Sequence, residues 1–180
     1  MKKLFITMCV ALLSMGAMAQ EKGCFAIGAQ GGLTFSKVKI ESLNINETVT
    51  RGFVGAFAQY NFTNAFRAEL EADYLFKKDH MSSILVGLNL HYLINISDEF
   101  KIYPLAGYAM TFNHSEAYSV TNGNGTISHD SENDTDGGIQ VGAGLQYNLG
   151  DNYFIKAEYK FQPGILGDGH IVLAGFGYRF

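Results

Sequence analysis

The sequence predicts an all-β protein, an eight-stranded antiparallel up-and-down transmembrane β-barrel. Three observations favour this fold. Short segments in which apolar and polar residues alternate run through the chain, and a period of two is typical of a β-strand. There are 21 glycines against two prolines, and glycine and aromatic residues in many short alternating segments are typical of barrels. The connections between segments alternate between short and long, as expected for a bacterial membrane barrel.

The clearest strand is residues 66–77, in which every second residue is apolar and five of the six residues between them are charged. A helix would mix these charges into its apolar stripe. Twelve residues rise about 40 Å, and a tilt near 45° leaves about 28 Å, enough to cross the hydrocarbon core of a bilayer. A shift of one residue would turn Arg67 toward lipid, at up to about 2–4 kcal/mol. The charged face is therefore expected to look into the barrel.

Eight predicted strands follow one another along the chain, each with its apolar face outward. They are residues 25–37, 52–62, 66–77, 83–95, 101–112, 139–149, 153–162 and 170–180. The second strand is ambiguous, because Phe53 and Phe57 compete with an alternating set that includes Val54 and Tyr60. We place Val54 and Tyr60 outward, which turns the two phenylalanines inward.

Tight turns are predicted at 61–64, 97–99 and 150–152, and longer connections at 39–50, 77–82, 113–138 and 163–169. Since short turns face the periplasm in bacterial barrels, both termini are expected there. Aromatic residues on the outward faces should form two girdles at the membrane interfaces. The periplasmic girdle is Tyr60, Phe66, Tyr92, Tyr147, Tyr153 and Tyr178, and the outer girdle is Phe35, Tyr74, Phe112 and Phe161.

Residues 1–19 have the pattern of a secretory signal peptide: Lys2 and Lys3, an apolar run, and Ala17-Met18-Ala19 before the expected cut. The barrel domain is then residues 20–180. Without the two lysines it has 11 basic residues against 17 acidic ones, which argues against nucleic acid as a partner. Cys24 is then the one cysteine left, so a disulfide scaffold is excluded; an inert thiol is favoured over lipidation.

The last strand ends with apolar or aromatic residues at alternate positions back from a terminal phenylalanine: Phe176, Tyr178 and Phe180. This pattern resembles the C-terminal signal of outer-membrane barrels that the barrel-assembly machinery reads. The whole mature chain is similar to the eight-stranded outer membrane protein A-like and X-like, or "porin family", barrels. The resemblance implies location in the bacterial outer membrane, with membrane lipid, lipopolysaccharide and the barrel-assembly machinery as partners.

The strongest internal feature is a predicted charge network inside the barrel. The third and seventh strands lie four apart in a circle of eight, hence opposite each other, in an interior just wide enough for side chains to fill. Glu69 is expected to face Lys156, and Asp73 to face Lys160, within a residue or two. The predicted network is Arg67, Glu69, Glu71, Asp73, Lys156, Glu158, Lys160 and Arg179. A static plug is favoured over a gate or an ion path.

Patterns that suggest catalysis or metal binding are incomplete. His129-Asp130-Ser131 resembles the His-x-Ser of barrel lipases, but it lies in the acidic connection at 113–138, and neither His91 nor His170 has a convincing serine beside it. Alternating acids from Asp130 to Asp136 resemble a calcium loop without its distal glutamate. No catalytic, cofactor or metal site is therefore predicted, although cation binding by this connection stays open.

The function that we expect is non-enzymatic. The protein would support membrane integrity and present surface loops for adhesion or contact, with a lumen plugged by charged side chains. A small passive channel is the alternative, followed by a lipid-modifying outer-membrane enzyme; a soluble lipocalin-like barrel is the alternative fold. The sequence leaves open the surface ligand, the oligomeric state and whether the lumen conducts.

Overall fold

In the computed structural model of the protein, residues 22–40, 45–78, 81–115, 118–122, 125–129, 132–163 and 168–180 are described. Eleven strands occur in this part of the chain. They are β1 (Phe25–Ile40), β2 (Ile45–Asn61), β3 (Phe66–Lys78), β4 (Met81–Tyr92), β5 (Ile94–Asn95), β6 (Phe100–Ser115), β7 (Tyr118–Asn122), β8 (Gly125–His129), β9 (Glu132–Leu149), β10 (Tyr153–Gln162) and β11 (Asp168–Arg179). Among the same residues, no helix is long and apolar enough to cross a membrane.

Eight of these strands close into an antiparallel barrel. Going round the wall, the order is β1, β2, β3, β4, β6, β9, β10 and β11, and β11 pairs with β1 to complete the circle. Strands β3 and β10 are four apart in this order and face each other across the lumen. The predicted eight-stranded up-and-down barrel is confirmed. The two-residue strand β5 pairs with the start of β6, and β7 and β8 form a separate hairpin.

The two faces of the wall have opposite character. Large apolar side chains point outward, such as Leu70, Leu88 and Ile139, each more than half exposed. Most polar and charged side chains of the strands point inward and are buried. The ambiguous β2 follows the same rule, because Phe53 and Phe57 are buried while Val54 and Tyr60 are exposed. A soluble barrel would place its apolar face inside, so this arrangement suits lipid around the protein.

Tight connections join the strands at one end of the barrel, which we call the turn end; the opposite end is the loop end. Thr63 Oγ1 accepts a hydrogen bond from the Phe66 N–H at 2.8 Å, and Ser97 Oγ accepts one from the Phe100 N–H at 3.0 Å. Gly150 has a φ of 72°, which favours glycine. Side-chain hydroxyls that accept from nearby backbone amides are typical turn chemistry. The three turns predicted from sequence are therefore confirmed.

At the loop end the strands are longer than predicted. The connection predicted over 113–138 is wrong in its extent, because β6 continues to Ser115 and β9 begins at Glu132, with the β7–β8 hairpin between them. Strand β2 likewise begins at Ile45, inside the predicted connection 39–50. Above the membrane both faces of a strand meet water, so apolar alternation, the signal used for prediction, disappears while backbone pairing continues.

The lumen is layered along its axis. Toward the loop end lies an apolar cluster of Phe53, Leu75, Leu85, Ala109, Ile171 and Leu173. Toward the turn end lie a second cluster of Ala26, Phe57 and Phe154 and a third of Leu93, Tyr103 and Leu105. The charged side chains of β3 and β10 contact the clusters of the turn end, because Arg67 lies over the ring of Tyr103 and Lys156 lies over the ring of Phe57.

Candidate functional site: the charged lumen

The candidate site is built by β3 and β10, whose inward positions are occupied by charged residues. Seven of the eight residues in the predicted network are no more than 4% exposed: Arg67, Glu69, Glu71, Asp73, Lys156, Glu158 and Lys160. Successive residues of a strand point to opposite faces, so these side chains come from odd-numbered residues of β3 and even-numbered residues of β10. Arg179 is half-buried and lies at the turn end, where its Nη2 donates to Asn148 Oδ1 at 2.8 Å.

Ion pairs join the two walls. Lys156 Nζ lies 2.7 Å from Glu69 Oε2 and 3.1 Å from Glu158 Oε1. Lys160 Nζ is hydrogen-bonded to Glu71 Oε2 and lies 3.3 Å from Glu158 Oε2. Glu158 therefore bridges the two lysines, and each lysine reaches a glutamate on the opposite wall. The result is one connected network across the lumen.

Lys160 does not face Asp73 itself, and the shift lies within the residue or two allowed by the prediction. Lys160 is paired with Glu71, one inward position nearer the turn end, while Asp73 accepts hydrogen bonds from Gln30 Nε2 at 2.8 and 3.1 Å. Strands in a closed barrel tilt, and their register is staggered. Counting residues upward from the turns therefore gives the right two walls and the pair of Glu69 with Lys156, and it displaces the partner of Lys160 by two residues.

Neutral side chains add hydrogen bonds to the buried carboxylates. Glu71 accepts hydrogen bonds from Gln30 at 3.2 Å, Asn89 at 3.0 Å and Gln140 at 2.9 Å. Glu69 accepts one from Gln59 at 2.5 Å. A buried carboxylate is strongly destabilising unless its oxygens are paired and hydrogen-bonded. These amides therefore belong to the site as much as the charged residues do.

Arg67 is held by an aromatic and an imidazole ring. Its Nε and Nη2 donate to His91 Nδ1 at 3.2 and 3.0 Å, and its Nη1 donates to Gln146 Oε1 at 2.6 Å. The guanidinium carbon lies 4.7 Å from the centroid of the Tyr103 ring, and His91 stacks on the same ring at 4.8 Å. The Tyr103 hydroxyl donates to Glu158 Oε1 at 2.8 Å, so this group is continuous with the ion-pair network.

Sequence reasoning did not assign Tyr103 and Lys101 to the network, although both are 1% exposed. The alternation of β6 could have placed both residues in the lumen, since they stand on either side of the outward-facing Ile102. However, Lys101 is the only charged residue at the inward positions of the predicted strand 101–112. The sequence of β6 therefore lacks the repeated charges that identified the inward face of β3.

Glycines on neighbouring strands give these large side chains room. A Cβ at Gly144 would lie 2.5 Å from Cε2 and Cζ of the Tyr103 ring, and one at Gly87 would lie 2.6 Å from Glu71 Oε1. A Cβ at Gly175 would lie 3.1 Å from Cε and Cγ of Lys156. The interior is filled because large residues on one strand lie over glycines on the next.

The comparisons with known proteins agree with this architecture. Residues 5–180 match the family described as "Outer membrane protein beta-barrel domain". The chain belongs to this family. It is an outer-membrane protein, with a barrel wall that sits in the lipid bilayer. No protein among the curated sequences matches it.

Several solved structures of proteins from Gram-negative bacteria have a similar fold. The N-terminal barrel domain of Pseudomonas aeruginosa OprF has a TM-score of 0.62 at 18% identity, covering 88% of this chain and 98% of that one. P. aeruginosa OprG has a TM-score of 0.56 at 14% identity, covering 90% and 98%. Yersinia pestis Ail, solved with the heparin analogue sucrose octasulfate, has a TM-score of 0.53 at 19% identity, covering 88% and 99%.

The C-terminal strand of this outer-membrane barrel presents its aromatic residues to the outside. Phe176, Tyr178 and Phe180 are 51%, 36% and 66% exposed. The Tyr153 ring packs against Phe176 at 5.7 Å and Tyr178 at 5.2 Å, and Phe25 packs against Phe180 at 5.9 Å. The Phe180 N–H also donates to the Phe25 carbonyl. The terminal residue is thus tied to the first strand of the barrel.

Of the histidines discounted from sequence, His91 lies in this network and His170 lies away from it. His170 is on the outer face near the loop end, with its Nδ1 2.7 Å from the Tyr159 hydroxyl. His129 belongs to β8, while Asp130 and Ser131 lie outside the described residues, as does the predicted signal peptide. Asp134 and Asp136 belong to β9. Cys24 is a half-buried free thiol.

Proposed function

We propose that this outer-membrane barrel is a non-enzymatic protein that supports membrane integrity and presents surface segments, with a lumen closed by its own side chains. The observation that carries the proposal is the pair of ionic links from β10 to β3, Lys156 to Glu69 and Lys160 to Glu71. Side chains that meet across an interior of this size leave no continuous path for solutes.

Charge balance supports a permanently filled lumen. Among the described residues, the buried acids are Glu69, Glu71, Asp73 and Glu158, and the buried bases are Arg67, Lys101, Lys156 and Lys160. These are four acids and four bases, so their formal charges would balance in the lumen without a mobile counter-ion. The apolar clusters on either side of it, at Leu75 and at Phe154, oppose the entry of water and ions.

The loop end supports a role in surface contact. Pairing between β9 and β10 ends at Val141, whereas pairing between β6 and β9 continues to Ser115 and Glu132. The β7–β8 hairpin follows at the tip of this arm. A paired arm that continues past the neighbouring strand is suited to contacting other molecules outside the membrane. We propose that lipopolysaccharide surrounds the base of the arm; the arm's own ligand is a macromolecule outside the cell.

Among the described residues, the buried histidine of the lumen is bound into the network. The buried His91 contacts Arg67, Tyr103 and Glu69, and none of these is a serine or cysteine nucleophile. Hydrolysis by a side-chain nucleophile needs that nucleophile and a base within hydrogen-bonding reach. The lumen network is therefore assigned a structural role.

A conductance measurement tests the closed lumen. The purified full chain, reconstituted in planar lipid bilayers, should show little or no steady conductance. Lys156→Ala and Glu69→Ala should raise it, because each removes one side of the ionic link, whereas Tyr159→Phe on the outer face should not. A stable, wide channel in the unmodified protein would contradict the proposal and favour the passive-pore function.

A deletion tests the surface role separately. Replacing residues 118–129 by a short glycine-serine linker should leave the barrel in the outer membrane, because the hairpin pairs with itself and not with the wall. Binding of intact cells to surfaces coated with extracellular macromolecules of a host is then measured. Cells carrying this variant should bind less than cells carrying the unmodified protein. Equal binding by both would reject the hairpin as the contact segment.

A further inference from the structure

Several buried polar atoms have no hydrogen-bond partner among the described residues. Three of them belong to residues that lie close together in the lumen: Glu69 Oε1, His91 Nε2 and Glu158 Oε2, on β3, β4 and β10. Glu158 Oε2 has an ion-pair contact of 3.3 Å with Lys160 Nζ, and the other two atoms are 3.9 Å apart. Ligand atoms of the same three residues come within 4.8 Å of one another. Buried polar atoms of this kind call for an explanation, such as a bound ion or water.

The contacts of His91 determine what can bind there. Arginine has only donors, and two of the Arg67 N–H groups point at His91 Nδ1. That nitrogen must therefore be the acceptor, and the proton of the neutral ring is on Nε2. A second proton on Nδ1 would face the guanidinium directly. His91 thus presents an N–H donor, not a lone pair, to the two carboxylates.

Geometry and charge disfavour a metal ion in this group. Ligands held at 2.0–2.2 Å around a tetrahedral metal are about 3.4 Å apart, closer than the 3.9 Å between His91 Nε2 and Glu69 Oε1. The carboxylates also already share the Lys156 ammonium, at 2.7 and 3.1 Å. A divalent cation would add two positive charges to a buried network that is balanced without it.

We infer that Glu69, His91 and Glu158 form a binding site for a single water molecule and not for a metal. Hydrogen bonds of about 2.8 Å let one oxygen atom reach three atoms that lie up to about 4.8 Å apart. Water accepts from His91 Nε2–H and donates its two hydrogens to Glu69 and Glu158, so it matches one donor and two acceptors. Buried waters typically make about three such bonds.

This water joins three strands of the wall and is enclosed along the lumen axis. The cluster around Leu75 lies toward the loop end and that of Phe57 and Phe154 toward the turn end. In the closed lumen proposed above, such a water exchanges slowly with bulk solvent. It holds Glu69 and Glu158 in the orientations that bind Lys156.

Nitrogen-15 NMR of the full chain, labelled on histidine and reconstituted in lipid nanodiscs, tests the site. We expect His91 to be neutral with its proton on Nε2, to show a cross-peak from that proton to a long-lived water, and to keep its shifts when excess Zn²⁺ is added. His170 is the internal control, because it lies half-exposed on the outer face and should exchange rapidly.

His91→Gln assigns the signals, and if this variant does not fold, the contact with the Tyr103 ring, which stacks at 4.8 Å, assigns them in the unmodified protein. A proton on Nδ1, or Zn²⁺-dependent shifts at His91, would overturn the inference in favour of a metal site. The Nε2 proton without a water cross-peak would overturn it as well, in favour of a dry contact with Glu69.

Discussion

Lys156 Nζ lies 2.7 Å from Glu69 Oε2, although 87 positions separate the two residues in the chain. The same ammonium lies 3.9 Å from the centroid of the Phe57 ring. A cation over an aromatic face is attracted by the ring quadrupole, and more strongly when water is excluded. Lys156 is thus held by charge from β3 and by an aromatic ring from β2. This explains how a lysine can be 2% exposed inside a membrane barrel.

The Lys156–Glu69 pair should show strong coupling in a double-mutant cycle. We expect Lys156→Met or Glu69→Gln alone to lower the free energy of unfolding by about 3–5 kcal/mol, because a charge is left buried without its partner. The double variant should lose less than the sum of the two, since no lone charge remains. Urea unfolding in lipid vesicles measures this. Additive losses would mean that the pair is solvated.

A charged residue introduced on the lipid-facing side of the wall should destabilise the barrel most near the middle of the bilayer and least near its surface. Leu70 is 54% exposed on the outer face of β3, near the middle of the strand. Leu70→Arg should lower the free energy of unfolding by about 2–4 kcal/mol, whereas Leu149→Arg, beside the turn at Gly150, should cost about 0–1 kcal/mol. Unfolding titrations of both variants test this. The reverse order would place the lipid on the other face.

Leu75, an apolar residue on the inward face of β3, has little free space around it. It is 6% exposed and packs in the apolar cluster with Phe53, Leu85 and Leu173. Leu75→Arg should therefore lower the free energy of unfolding by at least about 3 kcal/mol, through overpacking and an unpaired buried charge. Leu75→Met, which changes little volume, is the control and should cost under about 1.5 kcal/mol.

The lumen glycines should be sensitive to a single added methyl group. In Gly144→Ala the new Cβ would overlap the Tyr103 ring, and moving that ring breaks its hydrogen bond to Glu158. We expect a loss of about 1–3 kcal/mol in unfolding free energy. Gly31→Ala is the matched control, since its Cβ would come no closer than 3.3 Å to the Phe53 carbonyl oxygen. Equal losses in the two variants would argue against tight packing around Tyr103.

The last residue should matter for assembly more than for stability. Phe180 and Phe25 are both exposed near the turn end and contact each other. Phe180→Asp should reduce the amount of protein in the outer membrane, if the terminal strand is read by the barrel-assembly machinery, whereas Phe25→Asp should reduce it less. Membrane fractionation and gel mobility before and after boiling measure assembled barrel. A normal yield of Phe180→Asp would refute the signal.

Local alternation was enough to predict which way most side chains point. In β2, where both faces carry apolar residues, we placed Val54 and Tyr60 outward, and the alternation of the strand then turned Phe53 and Phe57 inward. This prediction is confirmed. The ends of the strands were less predictable. Backbone pairing carries β6 to Ser115 and starts β9 at Glu132, where the apolar signal is already gone. The alternation of apolar residues ends where a strand leaves the membrane, whereas the backbone hydrogen bonds between strands continue beyond that point.

The sequence by itself determined the strand order, the membrane-facing surface and the two walls that carry opposite charges. These follow from a period of two and from the count of eight strands, which are local properties of the chain. The tertiary structure alone decided that Lys160 binds Glu71 instead of Asp73, and that Arg67, His91 and Tyr103 meet. Such contacts depend on the tilt and stagger of a closed sheet, and a barrel fixes these only when its first and last strands pair.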